Sequence, residues 1–316
     1  MSNSFFKLLN IPEPDINLNC GSGSHAEQTS KIMISYEKVL KQKKPDCCIV
    51  FGDVNSTLAC SVVAKKFNIK VAHVEAGIRS FDSTMPEEIN RIVTDSISDY
   101  FFTTSLLANK NLINSGVNKK NIFFVGNTMI DTLLANKNRF KKPSFWDKIQ
   151  LKKNKYFVLT LHRPSNVDHK EKFKKILETI LNNTNNYHII FPIHPRTKKM
   201  LKTLEFKSKR LHVVDPMNYL EFNFLIKNSN AVITDSGGIT EETTVLKIPC
   251  FTLRDNTERP ETVTIGTNVL VGTKLINIKK ELKLFFNANK KKSKIPEKWD
   301  GKTSIRIIKI LKKLKF

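Results

Sequence analysis

The run Ala231-Val-Ile-Thr-Asp-Ser-Gly-Gly-Ile-Thr-Glu-Glu242 passes from a short apolar segment through Asp235, Ser236, Gly237 and Gly238 into a stretch with no strand alternation. That is a strand turning directly into a helix, the unit from which parallel sheets are built. The same unit recurs on both sides of it. Upstream stand DCCIVFG ending at Gly52, KVAHVE ending at Glu75, YFFTTS from Tyr100 and NIFFVG ending at Gly126. Then follow YFVLTLH to His162, HIIFPIH to His194, LHVVD to Asp215, PCFTL to Leu253 and NVLVG to Gly272. Between them, segments such as KEKFKKILETILNN and NYLEFNFLIKN carry helical period.

The pattern predicts an α/β fold with two Rossmann-like domains facing each other across a cleft. A lysine-rich stretch without apolar period, roughly Asn136 to Lys155, separates the two sets of strands. The boundary is expected there, giving domains 1–145 and 146–316. No internal repeat of solenoid period and no low-complexity tract competes with this reading.

The bulk composition fits. The 316 residues are 40% hydrophobic and 9% aromatic, enough for two domains with buried cores. No stretch approaches the ~18 apolar residues of a membrane span. The start MSNSFFKLLN has no basic region, apolar core and cleavage site of a secretory signal. A cytoplasmic protein without a membrane partner is expected. Cys20, Cys47, Cys48, Cys60 and Cys250 form no C-x-x-C pair and have no histidine at a ligand spacing, so reduced thiols are expected and no metal.

The formal charge of +24 raises nucleic acid as a partner. The excess, however, is lysine spread through KQKK (Lys41 to Lys44), NKNRFKK (Asn136 to Lys142), LKKNK (Leu151 to Lys155), KKKSK (Lys290 to Lys294) and the C-terminal ILKKLKF. These runs do not interleave aromatics as a base-stacking surface does. A solvated surface that attracts anionic substrates is the expectation, and nucleic acid is not.

In doubly wound sheets, ligands bind at the carboxyl ends of the strands. Those ends are polar here: Gly52-Asp53, Glu75-Ala76-Gly77, His162-Arg163-Pro164, His194-Pro195-Arg196 and Asp235-Ser236-Gly237-Gly238. In the last of these, the glycines admit a ligand to the backbone and the helix start suits a diphosphate. Glu242, one turn in, suits hydroxyls such as those of a ribose. The alternative is an ordinary cap by Asp235 or Ser236. Taken alone, the run leaves both open. The loop after the next strand, LRDNTERPET from Leu253 to Thr262, adds Arg254 and Arg259, and Arg259 suits a phosphate.

Together these two segments resemble the non-hydrolysing UDP-N-acetylglucosamine 2-epimerases, whose signatures are T-D-S-G-G-I-x-E-E and R-D-x-T-E-R-P-E. The resemblance extends to FGDVNST around Asp53, HVEAGIRS from His73, MPEEINR from Met85, GNTMIDTLL from Gly126, LHRPSNVD through His162, and VGT from Val271. It implies a fold of the GT-B type, a UDP-sugar substrate, a homodimer, and no metal or nicotinamide cofactor. It also implies inversion at C2 of the sugar by anti-elimination of UDP to a 2-acetamidoglucal and re-addition, in the supply of cell-surface polysaccharide precursors.

By the same resemblance Asp53, Glu75 and Glu87 are the acid/base set and His162 contacts the diphosphate, with Arg163 as a second donor. Phe222 matches an aromatic position near the uracil, and Met217 stands where many relatives have glutamine. Ser236, Gly237, Gly238, Glu242 and Arg259 complete the substrate-binding set, to which Arg79 and His194 are added on strand-end position. Each carboxylate also has a structural reading. Asp53 suits a helix cap, Glu75 a salt-bridged strand end, and Glu87 a first helical turn after Pro86.

Members of the family begin with a strand, a Gly-Thr-Arg-Pro-Glu loop, a helix and a second strand, which this sequence lacks ahead of Met1-Ser2-Asn3. The expectation is a chain starting inside the family's first domain, with apolar sides of neighbouring strands exposed. Four rivals remain: a hydrolysing relative, an enzyme for UDP-2,3-diacetamido-glucuronate, a GT-B glycosyltransferase, and a truncated inactive UDP-sugar binder.

Overall fold

The computed structural model describes residues 3–193, 195–204, 206–287, 291–314 and 316. It divides into two compact units, Met1–Asp131 with Glu297–Phe316, and Thr132–Pro296.

The first unit holds a parallel sheet of β1 (Cys47–Phe51), β2 (Lys70–Val74), β3 (Tyr100–Thr103) and β4 (Ile122–Phe124), paired in that order. The helices His25–Lys43 and Asn55–Lys66 cover the face on which Cys48, Val50 and Val71 lie. β1 is the edge, and its alternate residues Ile49 and Phe51 are 41% and 57% exposed.

The second unit holds β5 (Tyr156–Thr160), β6 (His188–Pro192), β7 (Leu211–Val214), β8 (Ala231–Thr234), β9 (Cys250–Thr252) and β10 (Asn268–Leu270). All pair in parallel, in the order β10-β9-β8-β5-β6-β7. Renumbered within the unit this is the 3-2-1-4-5-6 order of a dinucleotide fold, and the chain reverses its winding between β5 and β8. The central strands β5 and β8 read as apolar runs because both faces are buried. Phe157, Leu159, Ile189, Phe191 and Ile233 meet Phe173, Ile176 and Ile180 of the helix Lys170–Asn182. Tyr156, Val158, Ile190 and Val232 on the opposite face meet Leu225 and Ile226 of the helix Tyr219–Lys227.

All ten runs singled out in the sequence are strands. The boundary falls elsewhere than 145/146. The stretch Asn136–Lys155 packs into the second unit, where Trp146 and Leu151 join the cluster around Tyr156. Trp146 contacts Tyr156 and Phe224 edge to face. The apolar side chains that join this cluster, Phe145, Trp146, Ile149 and Leu151, sit among the lysines too sparsely to register as an element.

The chain's last helix, Thr303–Leu311, belongs to the first unit. Asp131 accepts from the amides of Thr303 (3.0 Å) and Ser304 (2.7 Å) at its start. Ile307, Ile310 and Leu311 cover Ala72, Val74 and Phe102. Just ahead of it Trp299 is buried, its indole N–H donating to the Thr104 carbonyl at 3.1 Å. Trp299→Ala is therefore expected to destabilise the first unit by about 3–5 kcal/mol. Urea unfolding of the purified chain checks this, and a loss under about 1 kcal/mol removes Trp299 as the anchor of the C-terminal return.

Candidate active site

In the first unit, the ends of β1 and β2 are tied by a fully buried histidine. His73 places Nε2 at 2.8 Å from the Gly52 carbonyl and Nδ1 at 2.7 Å from Asp95, while the Gly52 amide donates to Val74 at 3.0 Å. Asp95, on the helix Pro86–Ile97, also accepts from the Gly77 amide at 3.1 Å and pairs with Arg79 at 2.6 Å. Burial pushes the Asp95 carboxyl up, but the contacts with His73 and Arg79 outweigh it and hold the group below the usual carboxylate range.

Glu75 follows β2 with φ 72°, a left-handed conformation. Such a conformation in a non-glycine residue costs of order 1–3 kcal/mol and persists only where the surroundings impose it. Here the amides of Glu75 and Ala76 both donate to the Phe102 carbonyl, at 3.0 and 3.1 Å, which kinks the chain as it leaves the sheet. Gly77 continues the turn at φ 76°, and a Cβ there would collide with the Ala108 carbonyl. Glu75 Oε1 accepts from Thr128 at 3.3 Å.

Asp53 is not a helix cap. The helix Asn55–Lys66 begins at Val54 without a side-chain cap, and Asp53 Oδ2 instead accepts from Arg91 Nε (3.0 Å) and Nη2 (2.6 Å). Arg91 also donates to Glu88 at 2.8 Å, and Glu88 accepts from the Ser80 and Phe81 amides at 2.9 and 3.0 Å. Burial raises the Glu88 carboxyl, yet these donors leave it lowered on balance. Glu87, by contrast, is exposed in the first turn after Pro86. The helix phase turns Glu88 inward and Glu87 outward.

In the second unit, the ends of β5 and β8 meet at the point where the winding reverses. Asp235 is wholly buried and its carboxylate collects donors from the loop after β5. The His162 amide lies at 3.2 Å from Oδ1 and 3.1 Å from Oδ2, and the Arg163 amide at 3.0 Å from Oδ2. The Asn166 amide group reaches Oδ2 at 3.1 Å and His162 Nδ1 reaches Oδ1 at 2.9 Å. Burial raises the Asp235 carboxyl, and the contacts from His162, Arg163 and Asn166 more than reverse that, so it is lowered. Asn166 also donates to the Leu253 carbonyl at 3.1 Å, fixing the end of β9 to the same cluster.

Ser236 is the N-cap of the helix Gly237–Leu246 but makes no side-chain cap bond, and Asp235 faces the β5 loop instead. The capping reading of this run does not hold. The first turn keeps amides of Gly237 and Gly238 at the positive end of a helix dipole, a setting that favours phosphate.

Further along this helix, buried Glu242 accepts from Tyr219 Oη at 2.8 Å, and burial raises its carboxyl. Glu241 accepts from Arg259 Nε at 2.6 Å. Arg254 is buried and bonds Glu258 at 2.9 Å. Phe222 and Met217 pack half-buried against the cluster around Tyr156.

Each unit thus gathers its expected residues at its strand ends: Asp53 and Glu75 in the first, His162, Arg163, Ser236, Gly237 and Gly238 in the second. Arg79 does not fit its expected role, because its guanidinium is turned inward onto Asp95 and the Ile78 carbonyl. His194 lies outside the described residues. Sequence reasoning assigned no role to His73, Glu88, Arg91, Asp95, Asn166 or Tyr219. Only Glu88 and Arg91 carried a visible signal, the i,i+3 spacing of opposite charges. Among the described residues no group of three or more His, Cys, Asp or Glu is arranged to hold a metal ion.

Parallel sheets in two Rossmann-like units of the GT-B type, one with a phosphate-suited helix start beside a histidine, define a protein of the nucleotide-sugar class. The family model for UDP-N-acetylglucosamine 2-epimerase matches residues 1–312, and the chain belongs to that family. The chain is 47% identical to the UDP-N-acetylglucosamine 2-epimerase of Methanocaldococcus jannaschii over 98% of its own length and 87% of the relative's. The crystal structure of that organism's enzyme in complex with UDP-GlcNAc and UDP superposes with a TM-score of 0.83 at 46% identity, covering 96% of this chain and 87% of the other. A UDP-2,3-diacetamido-2,3-dideoxy-D-glucuronate 2-epimerase of Pseudomonas aeruginosa is 41% identical over 86% of this chain and 76% of its own.

The lowered carboxyl of Asp95 sets a pH dependence. Its folded value lies below the unfolded value of about 3.9, so its contribution to stability is complete above about pH 5 and is lost as pH falls through the folded value. Asp95→Asn removes that contribution. The urea midpoint of the native chain should exceed that of D95N at pH 7, and the gap should close steadily below about pH 4. A gap unchanged from pH 7 to pH 3 contradicts the ion pairing of Asp95 with His73 and Arg79.

Proposed function

We propose that the chain is a non-hydrolysing UDP-N-acetylglucosamine 2-epimerase, interconverting the UDP derivatives of N-acetylglucosamine and N-acetylmannosamine. The observation that carries the reading is the β5–β8 strand-end pair, a helix start without a side-chain cap beside a histidine anchored on a buried carboxylate. Its place at the reversal of winding is where open α/β sheets bind nucleotides.

In this reading the Ser236–Gly238 backbone, His162 and Arg163 hold the diphosphate. Arg259 adds a guanidinium for phosphate, Glu242 takes the ribose hydroxyls, and Phe222 lies by the uracil. The C2 proton is not acidified by a carbonyl, so a carboxylate must remove it while the C1–O bond to UDP breaks. Donors on the diphosphate stabilise the departing charge. Asp53, Glu75 and Glu87 are the acid/base set, with Glu75 aimed by its kinked backbone and Asp53 held by Arg91. The reaction needs neither a metal nor a nicotinamide. A homodimer and a cytoplasmic location belong to the same proposal, supported by the family resemblance. No helix among the described residues is long and apolar enough to cross a membrane.

UDP-N-acetylglucosamine incubated with the chain in deuterated water should gain deuterium at C2 and yield the manno epimer, followed by NMR. Glu75→Gln and Asp53→Asn should each lower the rate on the order of 100-fold or more. Release of free N-acetylmannosamine, turnover of the diacetamido-glucuronate substrate alone, or UDP binding without C2 exchange would each refute the assignment.

A further inference from the structure

We infer that Asp235 is a positioning residue that fixes the ring tautomer of His162, so that His162 offers a single nitrogen, Nε2, to the leaving diphosphate. The inference rests on the proposed role of His162 and adds to it a residue that touches no substrate.

The geometry leaves little freedom. Asp235 has no solvent exposure, and the His162 side chain is 48% exposed. An ionised carboxylate only accepts hydrogen bonds, so each of its neighbours must donate. His162 Nδ1, at 2.9 Å, therefore carries a hydrogen in both the neutral and the charged ring. Nε2 is left as the nitrogen that gains or loses a proton. The remaining donors on Asp235, the amides of His162 and Arg163 and the side chain of Asn166, come from the same short segment. They hold the backbone of His162 as well as its ring, so the imidazole is fixed at both ends. Asp235 itself immediately precedes Ser236, the N-cap of the helix Gly237–Leu246. One side chain thus sets the histidine and the helix start in a common frame, within the second unit.

The consequence for the reaction is specific. When the C1–O bond breaks, its electron pair leaves on the β-phosphate oxygen. Protonated Nε2 donates its hydrogen bond or its proton to that oxygen, and the C2 proton passes to a carboxylate of the proposed acid/base set. On re-addition the phosphate oxygen attacks C1, returning to Nε2 any proton it took, and a proton is delivered to C2. Throughout, Nδ1–H stays on Asp235, so no proton is created or lost at the dyad. A ring not held at Nδ1 could turn about its Cβ–Cγ bond, and part of the population would face the phosphate with an atom other than Nε2.

The test uses the full chain with 15N-labelled histidine, the His162 signals being assigned by their loss in His162→Gln. In the native protein the neutral His162 ring is expected as the Nδ1–H tautomer, and in Asp235→Asn as the Nε2–H tautomer or a mixture. With UDP-N-acetylglucosamine, D235N should lose on the order of 100-fold in kcat while KM changes far less. The double variant H162N/D235N should fall no further than the worse single variant, because both changes remove one function. A native His162 in the Nε2–H tautomer overturns the inference even where D235N fails to fold. So does a D235N enzyme with native kcat, or a double variant whose losses multiply. Were the native chain inactive as an epimerase, the proposed function would fall while the tautomer measurement still decided the Asp235–His162 contact.

Discussion

A buried carboxylate is costly unless every lone pair finds a donor, and the second unit is organised around meeting that demand at Asp235. The residue stands at the end of β8, next to β5, in the one place where a doubly wound sheet sends its neighbouring loops apart. Donors from the β5 loop converge on it, and Asn166 carries the connection on to the end of β9. The result is that loops leaving three adjacent strands share one fixed frame. Together with the Arg163 side chain, which donates to the Asp235 backbone carbonyl at 3.1 Å, the Asp235 carboxylate holds His162 and the start of the 237–246 helix in one frame. Ser236, the obvious cap, makes no side-chain bond to that helix.

The first unit meets a similar problem in a different way. There Asp53 and Glu75 follow β1 and β2, beside a second buried charge cluster. His73 spans the Gly52 carbonyl and Asp95, and Asp95 in turn holds Arg79 and the Gly77 amide. The loop so clamped can sustain the left-handed backbone of Glu75, which a looser turn would relax. Asp53 is held by Arg91, whose other partner Glu88 ties down the 80–81 amides. Strain and charge at these strand ends persist because the sheet beneath them is rigid.

Much of this was legible in the sequence, and the parts that were not share a cause. Parallel strands appear as apolar runs bounded by Gly, Asp or His, whether both faces are buried, as in β5 and β8, or one is exposed, as in β1, so all ten are visible together with the polar residues that end them. The return of Thr303–Leu311 to the first unit was invisible, because it depends on Asp131 and Thr104, far away in the chain. The 136–155 stretch reads as a domain boundary because its lysines outnumber the apolar side chains that pack it into the second unit. Arg79 was read as a ligand residue from its position after a strand. Its partner Asp95 lies on a helix, and no spacing rule joins the two. Glu88 has no role in the sequence reading, because which of two adjacent glutamates the helix turns inward depends on its phase against the sheet.

On the proposed function, the strand-end pair at the β5–β8 reversal receives a nucleoside diphosphate on the 236–238 backbone and Nε2 of His162. A crystal structure of the chain with UDP measures it directly. The diphosphate oxygens are expected within hydrogen-bond distance of the Gly237 and Gly238 amides and of His162 Nε2, with Nδ1 still on Asp235. UDP bound elsewhere on the second unit, or a His162 ring turned away from Asp235 in the complex, would contradict it.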